Sequence, residues 1–428
     1  MVQLAKLKKL LAVETSLQSG TFHYQGVLKS TFPNFKWKNT NDESGRALHY
    51  FETKEEAESI DFLIYVNLDT SNPSSLSLWT ETDFDPLNIT LKKGRLFGLG
   101  ASHEKASVTP VLSAISNLKS DKKYIVFVGG YGRELNMIGA KRCVAEIIKK
   151  RAVQKVVVIH PTNNRPSFSS SGRTKIEVFF PFSDEEKKER DRHDLRENIS
   201  SQSKIINKFQ GESLKDDVIF KALEPCANLP SGTLLLDFSG GTNTITEAQS
   251  VYFEIDSSPL LEDSMVSRIS EFSKTLEELN LELINKFSKR VPPKALHIGK
   301  AVTTTEGVSF YGYNLIPSLV SPSELNAWFR RFESTIKKNQ GVIRIRDTKK
   351  SFAAKQIDSN IKGTTDCLKV TEATIFSRYF EDVRIFGVGE EGLSQKPNEY
   401  LIMDELVVTE DYFTHLFTND CPDVELEQ

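Results

Sequence analysis

Apolar residues run almost without a break over "FLIYVNL" (62–68), "KYIVFVGG" (123–130) and "KVVVIHP" (155–161). Runs of that length and purity predict strands covered on both faces, as in a largely parallel sheet. Between them, "KASVTPVLSAISNLKS" and "IGAKRCVAEIIKKRA" repeat apolar residues at helical spacing, so each predicts a helix that lays one stripe on the sheet. The N-terminus "MVQLAKLKKLLAVETS" places Leu4, Leu7, Leu10 and Leu11 at the same spacing and predicts a packed first helix. Its basic character leaves organelle import open, and nothing in it has the form of a secretory signal.

The pattern changes after Pro161. "PTNNRPSFSSSGRTK" is rich in turn formers and marks a boundary or a long loop, followed by the solvated charge run "SDEEKKERDRHDLREN". Two strands, "TLLLDFSGG" and "SVYFEIDSS", then precede a long helix from about Leu261 to Phe287 and a strand pair in "ALHIGKAVTTTEGVSFYG". Strands and helices segregated in this way predict a smaller α+β domain inserted into the larger one. The chain is then expected to return to the first domain through the helix "SELNAWFRRFESTIKK", the strand "VRIFGVG" and a strand and closing helix begun by "NEYLIMDEL". The expected division is 1–166, 167–311 and 312–428.

Composition narrows the function classes. A chain of 428 residues exceeds one ordinary core, at about one domain per 150 residues. A net charge of -3 offers no broad basic surface, so neither nucleic acid nor an anionic membrane is expected as a partner, and no apolar run approaches the length of a membrane span. Cys143, Cys226, Cys367 and Cys421 form no CxxC pair, which fits reduced thiols in a cytoplasmic protein. Trp79 and Phe84 read as loop packing, and "GLGASHEK" lacks the full pattern of a nucleotide loop.

Five segments carry the candidate chemistry: "NLDTSNPSSLSLWTETDFDP" (67–86), "GRLFGLGASHEK" (94–105), "GRELNMIGAK" (132–141), "VIHPTN" (158–163) and "GLSQKPNEY" (392–400). In their order and spacing they resemble the co-catalytic zinc deacetylase and exopeptidase family that includes acetylornithine deacetylase, succinyl-diaminopimelate desuccinylase, carboxypeptidase S and the lysine-releasing hydrolases. That family reads HxD, a tryptophan and a DPF-like turn, GxGxxDxK, DEExGxxGA, (D/E)PT and a late HxxNEY. "GGTNTI" (240–245) and "GTTDC" (363–367) are similar to its lid element and its late G-T-S-D element. The resemblance implies a mixed, largely parallel α/β fold of the zinc-exopeptidase kind with an inserted α+β lid that forms a homodimer. It also implies a role for Asn243, since the family's lid asparagine reaches the substrate of the partner subunit; a simple β-turn is the other reading.

The family's metal ligands fall on Asn67, His103, Glu134, His160 and Gln395, and only Glu134 keeps the family's residue. The family's general base falls on Arg133, beside the position of the HxD aspartate, Asp69. A guanidinium stays protonated and cannot take a proton from water. The stretch that holds the lid histidine in the family, "FFPFSDEE", has none. The changes balance one another: carboxylates are lost and an arginine gained, so Arg133 paired with Glu134 or Asp69 removes the need for metal charge. The expectation is a non-catalytic relative acting as a binding, sensing or scaffold protein with no cofactor. Its partners would be a protein or a small carboxylate or amino-acid-like ligand held by Arg133, His103 and His160. The alternative is a metallohydrolase that cleaves an amide bond of an N-acyl amino acid or dipeptide with one zinc bound by His103, Glu134 and His160, a set that suits Zn²⁺ or Fe²⁺.

Overall fold

The apolar runs form the centre of a six-stranded mixed sheet. Its order is Lys38–Asn41, Ala47–Glu52, Ile125–Gly130, Ser59–Asn67, Ala152–Ile159 and Val383–Phe386. The first three strands pair antiparallel, and every pair from Ile125–Gly130 onward is parallel. The computed structural model describes residues 2–418 except 17–18, 56–57, 74, 119–122, 134, 195–200, 208–217, 231, 242–247, 249, 258, 260, 288–295, 317, 319–321, 350, 354–366, 368 and 395.

Alternation within the central strand explains why its sequence is apolar throughout. Phe62, Ile64 and Val66 face one way, into a core with Val111, Leu112 and Ile115 of the helix Val108–Ser116 and with Phe413 and Phe417 of the closing helix Asp404–Thr418. Tyr65, on the opposite side of the pleat, packs its ring 5.2 Å from that of Phe376. The first helix, Val2–Leu11, buries Leu7 and Leu11 against Ala101, Ala106 and Leu406. The helix that follows Ile125–Gly130 begins as Ile138–Arg142 and widens into a π-helix at Cys143–Ile148. Trp79 is buried, as its packing role predicts, whereas Phe84 is 57% exposed and packs little. Among the described residues no helix is long and apolar enough to cross a membrane.

Two compact units divide the chain, residues 1–170 with 352–428 and residues 171–351. The second unit is a seven-stranded sheet ordered Ser201–Asn207, Ser250–Asp256, Leu234–Gly240, Leu296–Thr303, Gly307–Ile316, Gly172–Pro181 and Val342–Lys349. Its return point differs from the expected 311. The helix Pro322–Lys338 buries Trp328, Phe332 and Ile336 in one core with Phe180, Phe272 and Phe310, and Val342–Lys349 pairs antiparallel with Gly172–Pro181. An amphipathic stripe declares that a helix needs a sheet but not which sheet, so the sequence assigned this segment to the wrong unit. The chain leaves and re-enters the first unit at Ser169–Ser170 and Phe352–Ala353, which pair with each other inside the stretch read as a loop.

The turn after Ile125–Gly130 is built on close approach. A Cβ at Gly139 would lie 2.2 Å from the carbonyl oxygen of Tyr131 and 2.8 Å from the Tyr65 hydroxyl. At Gly26, in the exposed face of the helix Tyr24–Thr31, nothing lies within 4 Å. Gly139→Ala is therefore expected to cost about 1–3 kcal/mol through overpacking, while Gly26→Ala should gain about 0.4–1 kcal/mol. Denaturant melts of the two variants against the parent chain check this; equal midpoints for both would contradict the packing of the turn.

Candidate functional site

The parallel strands end together, and their last residues converge. Asn67 closes Ser59–Asn67 with Asp69 just beyond, Arg133 follows Ile125–Gly130, His160 follows Ala152–Ile159, and Glu391 lies in the turn after Val383–Phe386. Carboxyl ends of parallel strands are where α/β proteins gather functional side chains. The "GLGASHEK" segment adds His103 and Glu104 at the start of a 3₁₀ turn, Glu104–Ser107.

Arg133 is the hub. Its Nε donates to Glu372 Oε1 at 3.0 Å and its Nη2 to Glu372 Oε2 at 2.7 Å, a two-point clamp. Its Nη1 donates to Glu104 Oε1 and stands 3.3 Å from His160 Nδ1. The guanidinium side chain is 13% exposed, and Glu104 and Glu372 are buried. Glu104 is shared further: its Oε2 lies 2.6 Å from His103 Nδ1, and its Oε1 takes His160 Nδ1. The other nitrogen of His160 lies 3.1 Å from Glu391 Oε1, which also accepts the backbone N–H of Lys369 at 2.7 Å and the thiol of Cys367 at 3.3 Å.

The electrostatics follow from this crowding. Burial pushes the Glu104 carboxyl up, but Arg133, His103 and His160 outweigh burial and hold it well below the usual carboxylate range. Burial opposes charge on Arg133 as well, yet Glu104 and Glu372 keep it firmly protonated. His160 is raised above its ordinary value because Glu104 and the bond to Glu391 overcome burial. Asp69, by contrast, is pushed up to about 6 by burial, against the N–H of Gly132 at 2.6 Å and the amide of Asn67, both of which favour its charged form.

Arg133, His103 and His160 thus meet in one buried cluster. Of the two partners expected for Arg133, Asp69 is corrected: it is engaged by Gly132 and Asn67, and the guanidinium is clamped by Glu104 and Glu372. The chain's own glutamates occupy the donors that were expected to face a ligand carboxylate. Glu134, Gln395 and Asn243 lie outside the described residues, as does "GTTDC" up to Cys367. Glu104, Glu372, Glu391, Cys367 and Lys369 were missed. The signal for Glu104 was available, since it is an acid directly beside His103 and just before the apolar helical stretch "ASVTPVLSAIS". Glu372 in "TEATIF" and Glu391 in "GEEGLSQ" carry no comparable mark.

Residues 63–419 match the family described as Peptidase family M20/M25/M40. No curated protein sequence is significantly similar to the chain. Among solved structures, an M20 family metallo-carboxypeptidase, Sso-CP2 from Sulfolobus solfataricus, superposes with a TM-score of 0.55 at 13% identity over 97% of this chain and 98% of its own. Human carnosine dipeptidase 1 gives 0.54 at 15% identity over 97% and 96%, and the dipeptidase Dug1p from Saccharomyces cerevisiae 0.52 at 11% over 98% and 96%. At such identities the likeness is one of fold.

Removing the hub tests the cluster. Arg133→Met leaves Glu104 and Glu372 buried without their cation and should cost about 3–5 kcal/mol; Arg133→Glu should cost more. In the parent chain the depressed Glu104 stabilises the fold above the ordinary carboxylate pKa and loses that contribution as pH falls. Without Arg133, the largest influence holding Glu104 down is gone and burial acts against its charge, so part of its contribution at neutral pH is lost and is recovered as pH falls. The melting gap between Arg133→Met and the parent should therefore narrow from about pH 8 to about pH 5. A gap that is constant with pH would show Arg133 to be electrostatically idle.

Proposed function

Because the chain belongs to Peptidase family M20/M25/M40, we propose that it is a member without the family's hydrolytic activity, acting as a binding or scaffold protein. The observation that supports this reading is Arg133 at the position of the family's general base, fixed between Glu104 and Glu372. A guanidinium held protonated in that place takes no proton from a water molecule. The family's zinc pair is also poorly matched by the donors present. The Asn67 amide is turned onto Asp69, the rings of His103 and His160 both face Glu104, and a guanidinium touches His160. Zinc at the family's two positions would stand beside that guanidinium, which already engages the buried carboxylates of Glu104 and Glu372. The alternative of one metal on His103, Glu134 and His160 would have to use the Nε2 of each ring, since each Nδ1 faces Glu104.

Protein purified without chelator is expected to carry no Zn²⁺ pair and to leave dipeptides and N-acyl amino acids intact. Two equivalents of zinc together with turnover would overturn the reading.

A scaffold acts through surfaces, and we place a symmetric homodimer contact on the outer strand Val342–Lys349. Among the described residues that strand pairs with Gly172–Pro181 on one side only, and Val342 and Ile345 are 48% and 57% exposed. An edge strand with exposed apolar side chains is a template for pairing with a second copy. Sedimentation at micromolar concentration should give a dimer that Ile345→Lys converts to monomer. A monomeric parent chain would remove the proposal.

A further inference from the structure

We propose that His160, Cys367 and Glu391 form a binding site for a single borderline divalent cation of the Zn²⁺ class. The donor set shares His160 with the family's ligand positions and with the set His103, Glu134 and His160, and differs from both in Cys367 and Glu391. One atom of each side chain lies within 4.8 Å of the other two. His160 Nε2 is 3.1 Å and Cys367 Sγ 3.3 Å from the same oxygen, Glu391 Oε1. A tetrahedral ion with bonds of about 2.0–2.3 Å holds its ligand atoms roughly 3.3–3.8 Å apart, so the three donors need only small outward shifts to admit it.

The surroundings are those of a built site. A ligating imidazole needs its second nitrogen held by a carboxylate or carbonyl, which fixes the ring. Here His160 Nδ1 is held by Glu104, which leaves Nε2 directed at Cys367 and Glu391. Glu391 is anchored by the Lys369 N–H at 2.7 Å, and the Cys367 backbone N–H is anchored by Ser167 Oγ at 3.1 Å. His160 and Cys367 are almost wholly buried. The charges balance as well. Coordination releases the Nε2 and Sγ protons to solvent, and one thiolate with one carboxylate then neutralises a 2+ ion. Arg133 contacts the opposite nitrogen of the ring, where Glu104 already neutralises it.

Cobalt gives a readout independent of catalysis, because Co²⁺ bound to a thiolate shows a sulfur-to-metal charge-transfer band in the near ultraviolet. The full chain, stripped with chelator and kept reduced, is titrated with Co²⁺ and then with Zn²⁺ as competitor. The expected result is one equivalent of Co²⁺ with the band, bleached by Zn²⁺. Cys367→Ser should melt like the parent chain but lose the band and bind at least about tenfold more weakly, and Glu391→Gln should weaken binding by about 10- to 100-fold. His103→Asn should retain the band. No uptake by the parent chain, uptake without the band, or a band lost in His103→Asn but kept in Cys367→Ser would each overturn the proposal. Since no outcome depends on hydrolysis, the metal site and the loss of peptidase activity succeed or fail separately.

Discussion

A guanidinium buried at the meeting point of four strand ends is tolerable only because two buried carboxylates hold it. Taking one charge from water into a protein interior costs several kcal/mol unless its partner is in contact and its hydrogen bonds are made. Arg133 meets both conditions through Glu104 and Glu372, and the obligation runs both ways, since each glutamate is buried and would be uncompensated without Arg133. The positions of the elements follow. The strand Ile125–Gly130 must end where Arg133 can reach, the turn closed by Gly139 must stay tight, and the 3₁₀ turn at Glu104–Ser107 must present its acid inward. His103 and His160 lie against the remaining faces of Glu104, so the charges of the cluster meet within the first unit.

The parallel centre of the sheet was legible because burial on both faces leaves no room for polar residues, and "FLIYVNL" and "KVVVIHP" display that directly. The helices beside it were legible for the complementary reason, each carrying one apolar stripe. What the sequence did not reveal was allegiance. The stripe of Trp328, Phe332 and Ile336 suits any sheet of the right curvature, and only the pairing of Val342–Lys349 with Gly172–Pro181 commits that segment to the second unit. Long-range pairing is a property of two segments, and neither one records it alone.

The candidate site divides along the same line. Positions reached by counting along motifs, Arg133, His103 and His160, do come together, because strand ends in a parallel sheet converge whatever side chains they carry. Their partners did not follow from counting. Glu104 stands one residue past the position that the motif emphasises, and Glu372 and Glu391 belong to turns with no chemical signature. Charge balance predicted that an acid must face Arg133, and it offered Glu134 or Asp69, the acids already in view. The geometry selects Glu104 and Glu372, since Asp69 is engaged by the Gly132 N–H and the Asn67 amide.

An arginine is a different kind of countercharge from a metal pair, and the difference limits what the cluster can do. A metal is exchangeable, carries two charges and leaves open a coordination position where a water molecule can be activated. A guanidinium is covalently fixed, carries one charge and spends it along directed N–H bonds, made here to Glu372 and Glu104. With a single fixed charge, fewer carboxylates can be held ionised at its centre, which agrees with Asp69, outside the clamp, being raised to about 6. The acids that Arg133 does not reach must find other countercharge. Glu391 is the clearest case: it lies beyond the guanidinium, against His160, Lys369 and Cys367, where among the described residues a thiol, an imidazole and a carboxylate meet.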